Sequence, residues 1–147
     1  MQRWTTQEPL PLPIDFSGLA RLDLEFVNVR RDSGSFTAFV FVNADELPAN
    51  AGREHDRFAG SFTVFAQSAC WGVGDHCDWK RGPVSAFDRR PPHHLTPINV
   101  SMDITEAIDG LDNPDKLTVT VHAARRSDPE AAEGVFVCDR VIALAYQ

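Results

Sequence analysis

A two-residue hydrophobic period, returning in short runs, constrains this chain more than any other feature. In "RLDLEFVNV" (21–29), Leu22, Leu24 and Phe26 alternate with Asp23 and Glu25. In "PINVSMDI" (97–104), Ile98, Val100, Met102 and Ile104 alternate with Asn99, Ser101 and Asp103. "KLTVTVHA" (116–123) sets Leu117, Val119 and Val121 against Thr118, Thr120 and His122. Successive side chains of a strand point to opposite faces, so each run predicts a strand with one buried face. His122 falls on the polar face, the place of a solvent or interface histidine.

Three further runs read as strands. "SFTAFVFVN" (35–43) is apolar on both faces, as in a strand covered on each side. "FAGSFTVFA" (58–66) holds Gly60, which marks a bulge or a close backbone approach. "GVFVCDRVIALAY" (134–146) is long enough for one bent strand or two short ones. "RRDSGS" between the first two strands carries the Asp, Ser and Gly of a hairpin connection, so those strands are expected to pair.

Only "DITEAIDGL" (103–111) favours helix: Asp103 or Thr105 caps it, Glu106 sits in its first turn and Gly110 stops it. Strands at this spacing without a long helical pattern predict an all-β fold, an antiparallel β-sandwich with one short helix. "EPLPLPIDF" (8–16) puts three prolines in five positions and reads as extended. Residues 1–17 are therefore expected to form an extended Pro-rich arm or linker, and 18–147 the β-sandwich domain.

The 147 residues carry a net charge of −7, which steers the chain away from nucleic acid and anionic membranes. No apolar window is long enough to span a bilayer, and the first residues lack the apolar core of a secretory signal. The default location is the cytoplasm, or outside the cell with a larger parent protein.

Two connections are long. Residues 44–57 are polar and surface-like. Residues 67–96 form a long Cys/His-containing loop, of a length that is usually functional or internally braced. That loop holds "CWGVGDHCDW" (70–79) and "RRPPHHLTP" (89–97). Cys70, His76, Cys77, His93 and His94 are soft or borderline ligands suited to Zn(II) or Cu(I). Cys70 and Cys77 stand farther apart than a structural zinc pair, so a braced turn or a local disulfide reads equally from the same residues. No Met follows closely enough for a blue-copper site. There is no nucleophile elbow, and Cys138 in "VFVCDRV" reads as a core thiol. Trp71, Trp79 and Phe87 either pin this loop or form a partner interface.

The order of segments resembles the C-terminal domain of tyrosinases and polyphenol oxidases, the KFDV-type domain of the plant enzymes. The residues that carry the resemblance are "FAGSF" (58–62), the helix-and-strand unit at 103–123, and the loop "GDHCD…FDRRPPHHLTP". In that family a separate four-helix bundle holds two coppers on six histidines. The C-terminal β-sandwich packs over it, covers the active-site entrance in latent forms, and in some fungal versions carries a cysteine pair that hands over copper. The resemblance implies a non-catalytic accessory domain with a tyrosinase-like di-copper domain or subunit as partner. It implies no intrinsic cofactor and at most transient copper. The cysteine spacing departs from the family's C-x-x-C pair. A free-standing Cu(I)- or Zn-binding protein built on the Cys70–Cys77 loop is the alternative, and a free-standing enzyme ranks last.

Overall fold

A computed structural model describes residues 1–12, 18–31, 34–44, 46–65, 87, 97–109, 111, 116–125 and 134–147. Nine strands and one short helix occur among them: β1 Gln2–Thr5, β2 Leu10–Pro11, β3 Arg21–Val29, β4 Phe36–Val42, β5 Phe58–Val64, β6 Ile98–Asp103, α1 Thr105–Asp109, β7 Lys116–Leu117, β8 Val119–Arg125 and β9 Arg140–Tyr146. A four-stranded sheet runs in the order β1-β8-β4-β5, a three-stranded sheet in the order β6-β3-β9, and β2 pairs with β7. Every pairing is antiparallel. The all-β sandwich expected from the alternation is the architecture observed.

Alternation decides what lies between the sheets. Leu22, Leu24 and Phe26 from β3 meet Phe36, Ala38 and Val40 from β4 and Val119, Val121 and Ala123 from β8 in one buried cluster. Phe136 closes it from a segment that belongs to no strand. Its ring packs edge-on against Trp4 of β1, Phe26 of β3 and Phe36 of β4, at centroid distances of 5.4, 5.9 and 6.1 Å, and is tilted against Phe62 of β5 at 6.2 Å. One ring therefore touches both sheets. The Gln2 side chain holds it from outside, accepting from the Phe136 N–H at 2.7 Å and donating to its carbonyl at 3.3 Å.

The expected hairpin between β3 and β4 does not form. β3 lies between β6 and β9, whereas β4 lies between β8 and β5, so the chain crosses from one sheet to the other after β3. Asn28 turns the end of β3 at φ 56°, inside a register shift between Phe26 and Val29. Its amide is taken by Asn99 Oδ1 at 3.0 Å, and its Nδ2 donates to Asp139 Oδ2 at 2.6 Å. Arg30 N–H then bonds to the Val137 carbonyl at 2.9 Å rather than to β4. A turn-forming composition marks a change of direction; it does not select the partner strand.

Gly60 fulfils both expectations. The β4–β5 register shifts at Val40/Phe41, opposite Gly60 and Phe58. Gly60 has φ 150°, and a Cβ there would lie 2.8 Å from Met102 Sδ. The helix begins where its cap was expected: Asp103 Oδ1 accepts from Thr105 N–H at 2.9 Å and from its hydroxyl at 2.6 Å. These bonds hold the Asp103 carboxyl below the usual carboxylate range, with a smaller push from Arg21. β1 and β2 lie within the stretch read as an arm and hydrogen-bond to β8 and β7.

Candidate functional site

The outer face of the four-stranded sheet is where polar chemistry becomes buried. Inward positions of β4 and β8 feed the core, which leaves Phe39 and Phe41 of β4 and Thr120 and His122 of β8 on the other side. In register, His122 stands opposite Arg3 of β1 and Phe39 of β4, while Thr120 stands opposite Thr5 and Phe41. The Thr5 and Thr120 hydroxyls are 3.2 Å apart.

Residues 44–57 lie over this face. The segment is a succession of turns, with Ala51 N–H bonded to the Pro48 carbonyl, His55 N–H to Gly52 and Phe58 N–H to His55. Its apolar residues Ala44, Leu47 and Ala51 form a second buried cluster with Phe41, against which Phe39 and Phe58 pack. His122 is only 2% exposed as a result. The face that alternation assigned to solvent or an interface is a covered one. The signal was present in "FTAFVFV", whose outward phenylalanines need a cover.

The ring of Phe41 separates two imidazoles. It meets His122 at 5.4 Å and His55 at 5.7 Å, both near edge-on. His55 Nδ1 accepts the Arg57 N–H at 3.1 Å and lies 3.1 Å from Asp56 Oδ1, on a carboxylate 84% exposed. His122 Nδ1 has no hydrogen-bond partner among the described residues. Burial lowers the His122 pKa, and Arg3 lowers it further. An interaction with the Ala51 backbone acts the other way and favours the protonated ring.

Most residues singled out by sequence lie elsewhere. Cys70, Trp71, His76, Cys77, Trp79, His93 and His94 fall outside the described residues. Phe87 is described and is 92% exposed. Among the described residues no three His, Cys, Asp or Glu side chains are grouped to hold a metal. Cys138 packs against the core as a thiol, and burial beside Asp139 pushes its pKa up to about 11, far from nucleophilic use at neutral pH.

With the architecture in place, the chain can be set beside known structures. Its fold is similar to that of about a quarter of a polyphenol oxidase chain. Recombinantly expressed latent aurone synthase (polyphenol oxidase) matches 98% of this chain over 24% of its own length, with 14% identity and a TM-score of 0.56. Latent aurone synthase (polyphenol oxidase) from natural source matches the same shares with 16% identity and a TM-score of 0.53. No family model and no curated protein matches the sequence. At this identity the likeness carries the fold and not the chemistry.

Proposed function

We propose that this chain is a non-catalytic accessory domain of a tyrosinase-like type-3 copper oxidase. It packs on the catalytic domain, where it stabilises that domain, covers its active-site entrance or assists copper loading. The observation that supports this reading is the asymmetry of the match: nearly all of this chain corresponds to about a quarter of each polyphenol oxidase chain. Trp71, Trp79 and the exposed Phe87 are the residues proposed for the partner surface, since aromatic side chains supply large contact area at low entropic cost. The test is diphenol oxidation by a tyrosinase-like catalytic domain from the same organism, expressed without its own C-terminal domain. Added chain is expected to change the rate or the thermal half-life of that domain in a saturable way. Diphenol oxidation by the copper-supplemented chain alone would contradict the reading.

A second reading rests on the ligand set Cys70, His76 and Cys77, with His93 and His94 in the same connection between β5 and β6. In it the chain is a free-standing Cu(I)- or Zn-binding protein. Under reducing conditions, titration of Cu(I) against a chromophoric chelator separates the two readings. One tight equivalent, lost in the Cys70→Ser/Cys77→Ser variant, is the result expected of a copper-handling loop. Equal weak binding by both proteins leaves the loop structural.

A further inference from the structure

His122 is a titratable ring sealed into a sheet face with cations around it. Its Nδ1 is buried without a partner among the described residues, and its ring packs against Phe41 beneath Ala51 of the covering segment. Each element packed against it contributes a definable set of charges. From β1 comes Arg3, directly opposite in register, with the amino terminus of Met1 beyond it. β4 contributes the uncharged Phe39 and Phe41. The covering segment contributes His55 across the Phe41 ring. Of that segment's described acids, Glu46 is exposed, Asp56 sits against His55 and Glu54 folds back on Gly52, its Oε2 2.8 Å from where a Gly52 Cβ would be. Among the described residues, no carboxylate stands with the groups acting on the His122 ring.

A proton added to Nδ1 would therefore place a full charge in a buried site, beside like charges and without an acceptor. Lifting the cover hydrates the ring and removes that penalty. We propose that residues 44–57 form a pH-released cover on the four-stranded sheet, closed over a His122 ring that must stay neutral while it is buried against Phe41. Release exposes Phe41 and the buried part of the outer face of β4 and β8, with the partly covered Phe39 and Phe58 beside it.

The sign follows from proton binding. The covered ring titrates below the ordinary imidazole value of 6.5, and the hydrated ring at about that value. Above it neither state binds the proton, and the covered state keeps its full advantage. As pH falls below it the open state binds more protons, so the open fraction grows by at most about tenfold per pH unit for one site. The growth ends once pH passes the covered ring's own pKa.

Backbone hydrogen exchange on the full chain from about pH 8 to about pH 5, corrected for intrinsic chemical exchange, reads this directly. The expected result is a rise in opening of 44–57 that starts near pH 6.5 and does not exceed tenfold per unit, while β3 amides stay protected. His122→Gln is expected to flatten the profile; His55→Gln is expected to preserve it. Exchange of 44–57 that is independent of pH overturns the proposal. So does a profile that survives in His122→Gln or vanishes in His55→Gln. Should His122→Gln fail to fold, the wild-type ring decides by NMR. A His122 that titrates below 6.5 together with the opening supports the proposal, and one that titrates at or above 6.5 under a closed cover overturns it.

Discussion

Phe136→Ala is expected to lower the free energy of unfolding by about 3–5 kcal/mol, the range for removing a buried phenylalanine from a core. The site cannot collapse easily, because its lining comes from four strands in two sheets: Trp4, Phe26, Phe36 and Phe62. Each of those rings loses an edge-on or tilted partner in addition to the transfer free energy of the missing ring. Against a stability of about 5–15 kcal/mol for a domain, this is roughly a fifth of the total or more. In urea the midpoint should fall with little change in the slope, and the melting temperature by roughly 10 °C. Phe65→Ala, at a position 77% exposed, is the matched control and should stay within about 0.5 kcal/mol of wild type. Equal effects of the two substitutions would show that Phe136 does not join the sheets.

The second large effect is expected at Asn43. This residue follows β4 with φ 46° and stands in for a missing piece of sheet. Its N–H donates to the Thr118 carbonyl at 2.9 Å, and its Oδ1 accepts the Thr118 N–H at 2.7 Å. Its Nδ2 donates to the Lys116 carbonyl at 3.1 Å. The side chain thereby satisfies the backbone at the break between β7 and β8. Asn43→Ala removes both side-chain bonds and leaves a Cβ residue in the left-handed region, for a combined cost of about 3 kcal/mol. Asn43→Gly keeps the backbone freedom and loses only the side-chain bonds, so it should cost about half as much. Denaturant unfolding of the two variants separates strain from hydrogen bonding. An Asn43→Ala variant as stable as wild type would contradict this role.

The strands were legible because alternation is a local property: β3, β6 and β8 each declare one buried face in a few residues. What alternation could not supply was the partner of each strand. The β3–β4 hairpin was the natural reading of "RRDSGS", yet Asn28, Asn99 and Asp139 divert the chain to the other sheet through side chains distant in sequence. β1 was hidden by its length, four residues near a run of prolines, and is held by pairing with β8 at the far end of the chain. Phe136 lay inside an apolar run that reads as strand, although it serves as a plug from a segment outside the sheets.

The buried imidazole was missed for a related reason. Its period-2 position assigned His122 to the outer face correctly, but burial depends on residues 44–57, whose turns carry no periodic signal. Only the doubled apolar pattern of β4 pointed to a cover. The Cys/His loop was legible as a set of ligand types. Its spacing favoured a braced turn or a local disulfide over a metal site without deciding between them, because ligand geometry is fixed in three dimensions and not by sequence distance.

Sedimentation velocity of this chain mixed with a copper-loaded tyrosinase-like catalytic domain of the same organism tests the accessory role most directly. The expected result is a one-to-one complex at concentrations of about 10 μM or below, corresponding to a binding free energy of roughly −7 kcal/mol or stronger. Two proteins that sediment independently under those conditions would contradict it.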